Sequence, residues 1–291
     1  MLRNNIGQKG AVKSNMSEYN DSYPNGHLLV DVDWVERNAA REDIVLLDAR
    51  REGYAQGHIP GSISFDQGRL KDDTARAVVA AETARDLLES AGIGDDTTVI
   101  VLDDGRGPAA ARLFYVMEYY GLKDKVKLLN GGYAAWEEAG KPSTNVVPEP
   151  ARGRLTNVRA QESLIATKRH IQSGIRDSLL LDVRSAEEYS GENKRHNRHG
   201  GHIRGSVNLE WTEALERDPA SGVTFFKSYG ELLRPFQRLN VASDKPIVPY
   251  CQLNSRGAHT YFVLRLLGFT DIRPYEGSWE EWGNAEDTEI V

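Results

Sequence analysis

The stretch PIVPYCQLNSRGAHTYFVLRLLGF, residues 246–269, holds the only cysteine in a chain of 291 residues. Pro246 to Tyr250 is a short apolar run bounded by a proline and a polar turn, the pattern of a buried strand. From Ala258 on, Tyr261, Phe262, Leu264, Leu266 and Leu267 predict an amphipathic helix, with Gly268 as its C-terminal stop. Cys251 therefore falls where a strand ends and a helix begins. In α/β proteins that edge collects ligands, because first-turn N–H groups point into the crevice without partners. Those groups and the positive helix end stabilise an anion there, a thiolate included. Position alone leaves two readings open: an active thiol, or a buried cysteine serving as a small hydrophobe.

The same stretch has an echo, VIVLDDGRGPAAARLFYVMEYYGL, at 99–122. LLDARREGYAQGHIPGSI (46–63) is likewise echoed by LLDVRSAEEYSGENKRHNRHGGHIRGSV (180–207), and LLNGGYAAWEEAG (128–140) by PYEGSWEEWGN (274–284). Three blocks repeated in one order imply duplicated domains. Strand and helix patterns alternate in each copy, so the expected fold is α/β: two tandem domains, each a central, mainly parallel sheet with helices on both faces. The expected boundaries are a disordered tail over 1–25, a first domain over 26–140, a proline-containing linker over 141–157 and a second domain over 158–291. With Gly121 set against Gly268, Asp104 falls opposite Cys251 and Ala109 opposite Arg256. On that alignment the first copy keeps the loop without the thiol, so chemistry is assigned to the second and a packing or gating role to the first.

Composition narrows the function classes. Hydrophobic residues at 40% and charged residues at 27% are ordinary for a soluble globular protein. No apolar run reaches the length of a membrane span, and the N-terminus lacks the apolar core of a secretory signal. A single cysteine excludes an internal disulfide framework and makes a reducing, cytoplasmic setting the default. A net charge of -7 without a basic stripe interleaved with aromatics argues against nucleic acid as a partner.

Taken together, these residues resemble the rhodanese family, and specifically its two-domain sulfurtransferases, from about Leu28 to Trp282. Tyr54, His58, Ile59, Pro60 and Gly61 follow the family's Y-x3-H-I-P-G signature, and Tyr275, Glu276, Gly277, Ser278, Trp279, Glu281 and Trp282 fit its C-terminal one. The loop CQLNSR is similar to that of bacterial thiosulfate sulfurtransferases. The resemblance implies that Cys251 attacks the outer sulfur of a small anionic donor such as thiosulfate and holds it as a persulfide. Cyanide or a thiol, a protein thiol included, then removes it, giving ping-pong kinetics. The N–H groups of Gln252, Leu253, Asn254, Ser255 and Arg256 would cradle the persulfide, with no metal and no organic cofactor.

Other residues carry weaker expectations. Arg256 is expected to face the donor's sulfonate or to brace the loop's carbonyls. Asp182 and Arg184, repeated as Asp48 and Arg50, are expected to form an ion pair that pins the strand end, while Arg184 also stays a candidate for the pocket or donor steering. Glu188 stands where the animal enzymes carry a substrate-binding arginine, which weakens the case for 3-mercaptopyruvate. Asp48 to His58 spans ten residues and Asp182 to His202 twenty. The added segment brings Lys194, Arg195 and Arg198, read either as a solvated loop or as a guide for anionic donors. His196, His199 and His202 within it are discounted as a metal site, since no cysteine or carboxylate completes the set. Trp282 matches Trp136 and is read as core, Trp279 is left between core and pocket, and His259 is read as surface or packing. Rival functions are a persulfide carrier for a protein partner and a cysteine phosphatase. The latter requires five residues between cysteine and arginine, where this loop has four.

Overall fold

The computed structural model describes residues 23–174, 178–239 and 245–291. The first half runs β1 (Leu29–Val30), α1 (Val32–Asn38), β2 (Ile44–Asp48), β3 (Ile63–Ser64), α2 (Ala81–Ser90), β4 (Thr98–Leu102), α3 (Pro108–Tyr119), β5 (Val126–Leu129) and α4 (Gly132–Glu138). Its five strands are all parallel, in the order β1-β5-β4-β2-β3. Side chains alternate along a strand, so each face needs its own apolar cover. Leu47, Val99, Val101 and Leu128 share a core with α2 and α3, whereas Leu46, Ile100, Leu102 and Leu129 pack with Val35 of α1 and Trp136 of α4.

The second half repeats the plan with α5 (Lys168–Gln172), β6 (Leu179–Asp182), α6 (Ala186–Ser190), β7 (Val207–Asn208), β8 (Leu215–Arg217), β9 (Thr224–Phe226), α7 (Tyr229–Arg238), β10 (Ile247–Tyr250), α8 (Ser255–Leu266) and α9 (Ser278–Trp282). Its parallel ladder is β10-β6-β7, widened by single parallel bridges at Ala166–Tyr275 and Ile247–Ile272, with β8 and β9 forming an antiparallel pair alongside. The two-copy α/β architecture read from the repeat is the one observed.

Helix α8 departs from the expectation. It starts at Ser255 rather than Ala258, and every residue from Gly257 to Leu266 is buried, so it is not amphipathic. Its second flank packs on α3, itself buried from Ala110 to Tyr119. Phe114 meets Phe262, and Tyr115 meets Tyr261, each edge-on at 5.0 Å. One apolar core thus runs through both halves. Polar groups caught in this seam pair across it: Glu118 accepts from Tyr261 Oη at 2.6 Å and from Arg265 Nε and Nη2 at 2.9 and 3.0 Å. His259 is buried there as well, stacked on Phe226 and edge-on to Trp211. Burial pushes its imidazole down to about 3, which keeps it neutral and makes it a packing residue, not a surface one.

Segment 141–157 forms no helix or long strand and lies against the first half. Thr144 and His58 exchange backbone hydrogen bonds, and Gly153 N–H donates to the Glu89 carbonyl. Of the expected N-terminal tail, residues 1–22 lie outside the described residues. Tyr23 to Asn25 are not tail: Tyr23 is buried and donates to the Lys227 carbonyl, and Asn25 N–H donates to the Leu266 carbonyl at 3.2 Å. Among the described residues no helix is long and apolar enough to cross a membrane.

Breaking a buried ion pair leaves a charge without a partner, so Glu118→Ala should cost about 3–5 kcal/mol in urea unfolding. Glu118→Leu combined with Arg265→Met should recover most of that loss. A single variant within about 1 kcal/mol of the parent would show that the seam does not depend on the pair.

Candidate active site

Strand β10 delivers Cys251 to the carboxyl edge of the sheet, and Asn254, in the left-handed region at φ 59, turns the chain into α8. The turn before α9 holds the loop's base: Cys251 N–H donates to Ser278 Oγ at 3.3 Å, and the Cys251 and Gln252 carbonyls accept from the N–H groups of Trp279 and Glu280 at 2.9 and 3.0 Å. Ser278 adopts φ 50, as Gly132 does at φ 53 in the first copy. A side chain at Gly132 would place its Cβ 2.5 Å from the Asp103 carbonyl oxygen. The second copy accepts a serine in this strained conformation, and its hydroxyl meets the cysteine's N–H.

The ladders overturn the pairing of Asp104 with Cys251. Leu102 stands beside Asp48, and Tyr250 beside Asp182, so the next residues, Asp103 and Cys251, are the equivalents. Tyr133 N–H donates to the Asp103 carbonyl at 2.9 Å, as Trp279 N–H does to Cys251. The loop from strand to helix is residues 103–107 in the first copy and 251–254 in the second. The first copy has one residue more there, and counting back from Gly121 therefore misses by one. Asp103 fills its own cradle: Oδ1 accepts from Gly105 and Gly107 N–H at 2.9 and 3.0 Å, and Oδ2 from Ala109 and Ala110 N–H at 3.1 and 3.3 Å. Burial pushes this carboxyl up while the N–H donors act in the opposite sense. Both oxygens are acceptors, the bonding pattern of a carboxylate. Helix alignment sets Gly107, Ala109 and Ala110 opposite Asn254, Arg256 and Gly257. The first copy thus displays an anion seated where the second presents its sulfur.

Cys251 itself is only 1% exposed. The segment that the first copy lacks docks on the loop that Cys251 opens. The side-chain amides of Asn197 and Gln252 exchange hydrogen bonds of 3.1 and 2.9 Å, Gln252 also donates to Glu280 at 3.0 Å, and His196 meets the same Glu280 oxygen at 3.0 Å. Arg256 donates to both oxygens of buried Glu188 at 2.6 and 2.9 Å, and Arg195 Nε reaches it at 2.7 Å. Burial opposes charge on Glu188, but Arg256 and then Arg195 outweigh it and hold the carboxyl at about 2. Against the same burial cost, Glu188 and then Cys251 push the Arg256 guanidinium up. Glu188 is therefore the anchor of two cations, and Arg256 is held on it instead of turning to the loop's carbonyls. Arg198 pairs with Glu286 at 3.2 Å, and Lys194 is exposed. The segment is a docked cover more than a free solvated loop. Its histidines diverge: His202 stacks on Tyr189 at 3.7 Å while His196 turns to Glu280.

Arg184 and Trp279 leave the pocket. Arg184 is buried, binds Asp182 through Nε and Nη2 at 2.9 and 2.6 Å, donates to the Gly201 carbonyl at 2.8 Å and lies 4.3 Å from the Trp279 ring centre. Arg50 repeats this with Asp48, the Gly57 carbonyl and Tyr133. Trp279 is fully buried, its Nε1 donating to the His199 carbonyl at 3.3 Å. Both residues pin the strand end that carries the loop, and steering by Arg184 gives way to that role. Glu276, named in the sequence only as part of the C-terminal signature and not as a site residue, is buried and bonded to the loop. It accepts from Asn254 at 2.7 Å, from Arg112 at 2.7 and 2.5 Å and from Lys71 at 3.1 Å. The available signal was the difference between copies, since Asn130 occupies this place in the first.

Residues 31–139 and 165–285 each match the family profile described as a Rhodanese-like domain. The chain belongs to the rhodanese family. Two curated rhodanese relatives extend over nearly its full length. One, named sulfur carrier protein TtuD, from Thermus thermophilus, is 35% identical over 92% of this chain and 98% of its own. The other, named thiosulfate sulfurtransferase, from Corynebacterium glutamicum, is 33% identical over 91% of this chain and 90% of its own. Among solved structures, the anaerobic ergothioneine biosynthesis enzyme from Chlorobium limicola shares the rhodanese fold, with a TM-score of 0.82 at 23% identity over 92% of this chain and 71% of that one.

If the cover limits access, Asn197→Ala should speed alkylation of Cys251 by iodoacetamide about tenfold, because among the hydrogen bonds it removes are the two to Gln252, worth about 0.5–1.5 kcal/mol each. Equal rates in the variant and the parent would show that the barrier lies elsewhere.

Proposed function

We propose that this chain is a sulfurtransferase that moves a sulfane sulfur from thiosulfate, or a related anionic donor, to cyanide or a thiol through a persulfide on Cys251. The observation that supports it best is internal to the molecule: at the equivalent position of the first copy, a carboxylate takes four N–H donors. In the second copy a cysteine opens the loop, so the charge to be held there is that of a thiolate or of the longer persulfide. The Cys251 thiolate attacks the outer sulfur of thiosulfate. Its S–S bond breaks and sulfite leaves with the electron pair. The new terminal sulfur keeps the negative charge, facing the N–H groups of Asn254, Arg256 and Gly257. Cyanide then attacks that sulfur, thiocyanate departs and the thiolate returns, with no external oxidant or reductant.

Loop length argues against phosphoryl transfer, since four residues between Cys251 and Arg256 frame one sulfur atom better than a phosphoryl group's three equatorial oxygens. Glu188 spends Arg256 and Arg195 largely on itself, which favours thiosulfate over a donor whose carboxylate needs its own cation. Carriage of the persulfide to a protein thiol is the second reading, supported by the relative named a sulfur carrier protein. It would require the cover to swing clear, given the burial of Cys251. A lone cysteine as nucleophile suits a reducing compartment, the cytoplasm.

Brief treatment with thiosulfate should add the mass of one sulfur atom to the intact protein, and cyanide should remove it as thiocyanate. Cys251→Ser should never gain it. Asp103→Cys on that background should gain none either, because its loop is one residue longer and Ala109 replaces the arginine. Hydrolysis of aryl phosphates by the unaltered chain, with no sulfur adduct from any donor, would overturn the reading.

A further inference from the structure

The two copies pack on each other through α3 and α8, and residues around the start of one helix have equivalents around the start of the other. Charge breaks that equivalence. At the catalytic end, Arg112 of α3 and Lys71, which follows the 3-10 turn Gln67–Leu70, converge on Glu276. At the other end the counterparts are His259, Leu215, which follows the 3-10 turn Trp211–Ala214, and Asn130. The catalytic end is closed to water: Arg112 is fully buried, and the side chains of Lys71 and Glu276 are 9% and 3% exposed.

Two cations on one carboxylate leave a single buried positive charge. Such a charge is costly unless an anion answers it. Asn254, which ends the cysteine's loop, is hydrogen-bonded to the same Glu276. We propose that Lys71 and Arg112, both from the half without a nucleophile, are positioning residues for the reaction: they hold the Cys251 loop through Glu276 and Asn254 and supply the countercharge for its thiolate and persulfide. The first domain then completes the site electrostatically while taking no part in bond making.

Among the described residues, Cys251 acts on Lys71 and Arg112 from the first half and on Arg256 of α8, which Glu188 of α6 backs, while Glu276 from the turn before α9 joins the first-half cations to Asn254. Tyr115, beside Arg112, stays neutral because burial pushes its phenol well up. Burial, and then Arg112, push the Lys71 ammonium down, while Glu276 and Cys251 act the other way. Arg112 is pushed up against its burial by Glu276 first, with a further contribution from Cys251. Of the two first-domain cations, Lys71 is the one that its surroundings push down.

The inference rests on Cys251 being the reactive thiol, but its test needs no sulfur donor. With one cysteine in the chain, thiolate absorbance can be titrated in the ultraviolet as wild type minus Cys251→Ser. Lys71→Met should move that titration to higher pH by about one unit and slow persulfide loading below the midpoint. Lys71→Arg should restore the wild-type profile. Resistance to urea should hold or rise in Lys71→Met, because a neutral Arg112–Glu276 pair remains. A titration that superimposes on the wild type in a folded Lys71→Met protein would overturn the proposal, as would a loss of stability with no movement of the titration. Should thiosulfate load no sulfur while the titration still moves, the proposed reaction falls and the countercharge stands.

Discussion

The contact between α3 and α8 is the constraint on which the rest depends. Each helix covers its own sheet with one flank and the other helix with the opposite flank, which is why both are buried along nearly all their length. A helix buried on all sides cannot shift without disturbing the packing of both halves at once. Its N-terminal turn is fixed accordingly, and so are the N–H groups that the turn presents. The anion seats at the starts of α3 and α8 owe their definition to this seam more than to the loops that form them.

Duplication explains how a site of this kind can be built with parts from both copies. The arginine-aspartate pair at the strand end, the stacked tyrosine and histidine, and the backbone bond from the aromatic to the loop carbonyl all occur twice. These are structural devices, indifferent to chemistry. Around the loop the copies differ in Cys251 for Asp103, Arg256 for Ala109, Ser278 for Gly132, Glu276 for Asn130, the loop's length and the covering segment. A carboxylate that is its own ligand makes the first seat self-sufficient. With sulfur in its place, the second seat carries no carboxylate of its own at that position.

Much of this was legible in the chain. The strand-turn-helix around Cys251, the repeat and the core role of Trp282 follow from apolar period and from comparing the copies. The amphipathic reading of α8 failed because its second partner, α3, lies more than a hundred residues away, and local pattern cannot report a neighbour of that kind. The pairing of Asp104 with Cys251 failed by one residue, since an extra residue in a loop leaves no mark on the helix that follows. Arg195 reads either as part of a solvated loop or as a guide for donors and Asn197 gives no signal, and only their partners Glu188 and Gln252 show the segment to be docked. Lys71, Arg112 and Glu276 are scattered in sequence and meet only through the seam.

The docking of Tyr23 to Asn25 on the second half has an evolutionary implication. The chain begins its described course on the far domain, crosses to build the near one and returns through 141–157, so the halves are laced at two places. Loss of the copy that lacks a nucleophile would strip the apolar flank from α8 and leave Glu276 without its cations. Any constraint on α8 and Glu276 is therefore enough to preserve the whole first domain, and sequence drift within that domain is limited by the packing of its neighbour.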